Sequence, residues 1–389
     1  MIGRMSMAPF SLVDGGPLCR LFRRLGCVRP DGQTNYRKTA ILIVAVTWGP
    51  LIVLALVESV MTGGAPVIDW GIHARLLVAI PLLFQAEAAL RMRTQRAIDL
   101  FRSERWAGDQ EDRVTKILAG AQRLRDAVAP EVILLALAVI GSQAVVWKVG
   151  GVRSVLRELT LDPQLVAPKY WYALVALPVF QFLVYRMLWR WGIWTHLLWR
   201  LSRLPLQPIA THPDLAGGLS FLSIPSAGFA WVIAGLSAAQ AGVWANKVLV
   251  ANAELMSFRP HLLAFAVAGV IVALGPLLVF TGHLWRCRFA AKISYGDLAI
   301  DYTRRFQDRW IVQRERADLM GSADIQSLAD LGNSCEVITK MRPVPFGPLL
   351  VALLAAAALL PMIPLILLKI SLMELLLKVG GAVLGKGPG

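Results

Sequence analysis

The stretch TAILIVAVTWGPLIVLALVESVM, residues 39–61, runs for 23 residues with Glu58 as its only ionisable side chain. A helix rises about 1.5 Å per residue, so about 20 apolar residues cover the ~30 Å hydrocarbon core of a bilayer. This segment reads as a membrane crossing. Arg37 and Lys38 stand directly before it, whereas residues 62–74 after it hold no Lys or Arg. Positive charge is retained on the cytoplasmic face, so the chain is expected to enter the membrane from inside.

Working outward by the same criterion, six more crossings are expected at 75–90, 130–149, 170–189, 224–248, 261–285 and 346–370. Pro361 and Pro364 lie inside the last and should kink or break it near 361–364. The connections alternate in charge. Residues 91–129 carry Arg91, Arg93, Arg96, Arg102, Arg105, Arg113, Arg123 and Arg125, and 286–345 carry Arg304, Arg305, Arg309, Arg314 and Arg316, while 251–260 have only Arg259. The expected organisation is a cytoplasmic segment at 1–38, a six-span bundle at 39–285, a cytoplasmic helical region at 286–345, and a seventh span with a tail at 346–389. An N-terminus inside and a C-terminus outside follow from this alternation.

Composition agrees with that fold class, an all-α polytopic bundle. Of 389 residues 56% are hydrophobic and only 17% charged, which excludes a soluble globular domain and a disordered chain. The excess of 40 Lys and Arg over 25 Asp and Glu follows from the positive-inside pattern, so nucleic acid is not an expected partner. Membrane lipids, the anionic inner leaflet above all, are. Cys19, Cys27, Cys287 and Cys335 form no CxxC or zinc-type spacing, no apolar run near the start has signal-peptide character, and no cofactor is implied.

Two charged connections also have helical periodicity. Val114, Ile117, Leu118, Ala121, Leu124 and Val128 fall on one face between arginines. Tyr302, Phe306 and Trp310 stand four apart, and a further helix is expected from Ser322 to about Leu331, where Gly332 and Asn333 should stop it. Pro343 and Pro345 then separate these helices from the final span and, with the three aromatics, form a candidate cytoplasmic gate.

Candidate site residues are few. Ser226, Ala230, Ala234, Ala238 and Gly242 recur every fourth residue on the fifth span, a stripe suited to a pore lining or a helix contact. Arg186, Arg190, Arg200 and Arg203 cluster with tryptophans where the fourth span ends, and are expected among lipid headgroups. Glu58 and Glu87 are the intramembrane ionisable groups, each close enough to a span end to snorkel. His212 and Asp214, before Gly217–Gly218, are the candidates should the protein be an enzyme, with His212 as base and Asp214 as its orienter. No GxSxG, Walker A or HExxH motif occurs, so enzymatic activity is the lesser expectation.

The segments THPDLAGGL (211–219) and SADIQSLADLGNSCEVITKMRPVPF (322–346), with the general layout, resemble a family of multi-pass inner-membrane proteins of bacteria. That resemblance implies the fold and location but no activity. The function expected from the residues is a homo-oligomeric channel or pore for small ions or solutes, gated by its cytoplasmic helices. The alternatives are a membrane-interface enzyme or carrier for a phospholipid headgroup, and a non-catalytic scaffold.

Overall fold

The computed structural model describes residues 10–28, 34–63, 69–103, 106, 108, 110–161, 167–250, 253–313 and 323–367, with side chains left aside at 145–161, 255, 366 and 367. Arg29, Arg105, Arg314, Arg316, Ser322 and the tail beyond 367 lie outside the described residues. Among the described residues the chain is helical, its one β-type contact being an isolated bridge between Val28 and Thr34.

The helices in chain order are α1 (Gly16–Arg24), α2 (Tyr36–Thr62), α3 (Trp70–Ser103), α4 (Glu111–Asp126), α5 (Val128–Leu161), α6 (Ala167–Ser202), α7 (Ser220–Leu249), α8 (Met256–Val312), α9 (Ala323–Lys340) and α10 (Pro348–Leu365). Six of them, α2, α3, α6, α7, α8 and α10, are long and apolar enough to cross a membrane. α4 and α5 meet at a 41° bend and make up to a seventh span. The protein is a multi-pass membrane protein of all-α architecture.

Local chemistry sets the helix limits. Asn35 accepts a hydrogen bond from the Lys38 amide to open α2, and Gly63 closes it in a left-handed conformation. Asp69 accepts from the Ile72 amide to open α3 and also from Asn246 Nδ2, which ties that end to the end of α7. α10 changes to a tighter turn at Leu360–Met362, around Pro361, as the proline spacing predicts.

α7 is the centre of the bundle, packed along α3 on one side and α10 on the other. Its closest approach does not follow the expected stripe of every fourth residue. Gly228, Gly235 and Gly242, seven apart, face Leu90, Ala79 and Trp70–Ala74 of α3, and a Cβ at Gly242 would lie 2.5 Å from the Trp70 carbonyl oxygen. Glycine is required there because backbone meets backbone. On the α10 side, Ser237 Oγ donates to the Ala358 carbonyl at 2.5 Å.

One expectation about the charged connections changes. Tyr302, Phe306 and Trp310 lie on a helix, the outer part of α8, which continues from the span through them without a break. α9 passes through Gly332 and Asn333 to Lys340, because Ile338 is buried and its last turns pack on the outer stretch of α8. Trp310 Nε1 and Arg309 reach Asp324 Oδ2 at 3.1 and 3.0 Å, and Tyr302 donates to the Asp324 carbonyl, so the two helices form a hairpin.

Candidate functional site

Glu87 sits in the apolar part of α3, and Arg186 and Arg190 lie one turn apart on the facing side of α6. Arg186 Nη1 pairs directly with Glu87 Oε1, and its Nε lies 3.5 Å from Glu131 Oε1, in the first turn of α5. Arg190 Nε is 3.7 Å from Glu87. Glu87, Arg186 and Arg190 are only 2%, 2% and 3% exposed. Two carboxylates thus face two guanidinium groups inside the bundle, which is how buried charge is tolerated. Glu87 does not snorkel, and neither Arg186 nor Arg190 turns its side chain out to the headgroup zone where sequence reasoning expected it.

The segment Phe10–Asp14 lies over this cluster. Leu12 and Val13 are buried, and the Leu12 carbonyl accepts from Arg190 Nη1 at 2.6 Å. Arg125 at the end of α4 donates to the Ser11 carbonyl at 2.5 Å and pairs with Asp126. Asp14 pairs with Arg91 of α3 at 2.5 Å and accepts from the Tyr36 hydroxyl at 3.3 Å. The chain then turns at Gly15 and Gly16, both at positive φ, and a Cβ at Gly16 would press to 2.8 Å from Glu131 Oε1. The Gly16 amide donates to Asp126 and the Leu18 amide to Glu131, after which α1 lays Phe22 against Phe84 of α3. Sequence reasoning missed this roof. The signal present was Ser11-x-x-Asp14 followed by Gly-Gly, a self-bonded turn in which Ser11 Oγ accepts from the Val13 and Asp14 amides.

The loop between α6 and α7 holds the other titratable pair. His212 Nδ1 lies 2.9 Å from Asp214 Oδ1, but the Asp214 carboxylate also accepts from the amides of Ala216, Gly218 and Ser220 at 2.8, 2.9 and 3.0 Å. Burial alone would raise its pKa, yet these amide donations outweigh burial and hold it below the ordinary carboxylate value. The carboxylate closes its own loop and caps the start of α7. The approach at Gly217–Gly218 is filled from within, by Met341 and Leu284 at Gly217 and by the Trp106 ring at Gly218. Arg342, just before Pro343 and Pro345, fastens the loop to the end of α9 through the Asp214 and Leu215 carbonyls at 2.8 and 2.7 Å.

The remaining candidates are placed as follows. Ser226, Ala230 and Ala238 are buried and Ala234 half-buried within the chain's own bundle, and Gly242 packs on α3. Glu58 is half-buried one turn before the end of α2. Arg200 is exposed, and the Arg203 guanidinium lies 5.2 Å over the Trp199 ring. Among the described residues no three His, Cys, Asp or Glu side chains converge as a metal site. Compared with known proteins, the chain matches no family model, no curated protein and no solved structure.

Proposed function

We propose that this membrane protein is a channel or carrier for small ions, shut in this conformation by its own segment Phe10–Asp14. The observation that carries the reading is a balanced four-charge cluster, Glu87, Glu131, Arg186 and Arg190, buried between three spans directly under that segment. Ionisable groups inside a membrane bundle mark ion pathways by default, since they are costly to retain otherwise. Lifting the segment removes Asp14 from Arg91 and the Leu12 carbonyl from Arg190. The mouth then gains one net positive charge, which favours anions.

The expected gate residues Tyr302, Phe306, Trp310, Pro343 and Pro345 enter this reading as a second latch. The α8–α9 hairpin is fastened through Arg342 to the loop before α7, so a tilt of the hairpin would pull on that span. Membrane lipids are the partners that the exposed apolar faces call for. A homo-oligomer remains part of the proposal, on a face other than the one α7 packs within the chain. The Lys and Arg distribution supports a cytoplasmic arginine-rich end, and the bacterial inner membrane is the location proposed with it.

The test is flux through purified protein in liposomes, with chloride and potassium followed separately. Unchanged protein should be nearly closed, and Leu12→Asp should raise chloride flux, because a carboxylate cannot be seated at a position only 1% exposed. If Leu12→Asp protein is folded, inserted and no leakier than empty liposomes to either ion, the reading fails.

A further inference from the structure

We infer that the cleft between α4 and α6 at the arginine-rich end binds the phosphate headgroup of an acidic phospholipid. The cleft holds about 120 Å³ and is lined by Lys116, His196 and Arg200 with Ile117, Ala121 and Leu124 as an apolar floor. Among the described residues its lining has three basic side chains and no carboxylate. Five arginines of the same end, Arg91, Arg102, Arg125, Arg186 and Arg190, are by contrast each matched by Asp or Glu. Positive charge gathered in a concave site without a counter-charge calls for an anion from outside the chain.

The surroundings favour a lipid over a soluble anion. Leu124, at the cleft, is exposed near the end of α4, and beyond the bend Val128, Val132, Leu135 and Val139 form an exposed apolar stripe at helical spacing along α5. An acyl chain laid on that stripe has its phosphate end at the cleft. Trp199 beside the cleft is 43% exposed, with the His196 ring 5.9 Å away and Arg203 stacked on it, the mixture of rings and cations that belongs at headgroup depth. Side chains on a helix lean toward its N-terminus, so Arg200 and His196 reach back toward the membrane from the outer end of α6. The headgroup contact expected of four arginines is thus assigned to Arg200, joined by Lys116 and His196.

The experiment is native mass spectrometry of protein released from nanodiscs containing equal phosphatidylglycerol and phosphatidylcholine. Wild-type protein should retain phosphatidylglycerol selectively, and Lys116→Ala/Arg200→Ala should lower that retention at least about fivefold, since one basic group near an anionic surface accounts for about that factor. Arg113→Ala, on the same helix but paired with Gln110 outside the cleft, should leave it unchanged. Lys116→Arg/Arg200→Lys should restore it. Equal loss in Arg113→Ala, or none in the double variant, would overturn the site, and adducts of inorganic phosphate that displace phosphatidylglycerol at equal concentration would assign the cleft to a soluble anion instead.

Discussion

Glu87 and Arg186 are 99 positions apart in the chain, and neither makes sense without the other. Removing one buried partner strands the rest, at a cost of about 3–5 kcal/mol. Glu87→Met should therefore lower stability by about that amount in chemical unfolding of the detergent-solubilised protein. Glu87→Met/Arg186→Met should recover part of the loss, because the cluster is again neutral and Glu131 keeps the Leu18 amide while Arg190 keeps the Leu12 carbonyl, although each loses its ion-pair partner; a double variant no better than the single would refute the pairing. Asp214 offers a pH signature. Asp214→Asn should cost about 1–3 kcal/mol at neutral pH by weakening the acceptor of three amides. Its folded carboxyl ionises below the ordinary 3.8, so its contribution is complete above that value and is lost as pH falls through the folded value. Wild type should thus be more stable than the variant at neutral pH, and the two should converge below about pH 4. The sequence shows how far Glu87 stands from a span end, which is why snorkelling was the natural reading. Pairing across two helices is a tertiary fact that spacing does not encode.

Elements were more legible than side-chain partners. Apolar length located the crossings, and the proline pair in α10 located its break, because both are local properties. Helix ends next to charged connections were not legible. α9 runs past Gly332 since packing on α8 outweighs the roughly 1 kcal/mol that one glycine costs a helix. On α7 the tightest seam uses Gly228, Gly235 and Gly242, of which the every-fourth stripe contains Gly242, while Ser226, Ala230 and Ala238 of that stripe are also buried. Gly242→Ala should therefore destabilise by about 1–3 kcal/mol, as its Cβ would meet Ala74 Cβ at 2.7 Å and the Trp70 carbonyl closer still. Gly296→Ala on α8, with open space around it, should gain about 0.5–1 kcal/mol. Thermal unfolding of the two variants side by side separates a packing glycine from an ordinary one.

At the scale of the whole molecule, the proposed topology makes a sided prediction. In a variant without its four cysteines, Ser103→Cys should react with an impermeant maleimide only from the arginine-rich face, and Ser257→Cys only from the other. Labelling of both from one side would remove the seven-crossing arrangement. The position of Phe10–Asp14 also has a consequence for how the protein is made. Leu12 leaves the ribosome 178 residues before Arg190, the group that holds its carbonyl. At about 5–20 residues per second that is an interval of roughly ten to forty seconds. For that time Leu12 and Val13 have no seat, and for about half of it Glu87, made 99 residues before Arg186, waits in the lipid or the insertion machinery without its arginines. A stretch translated early is placed late, and its docking reports that α6 has been released beside α3.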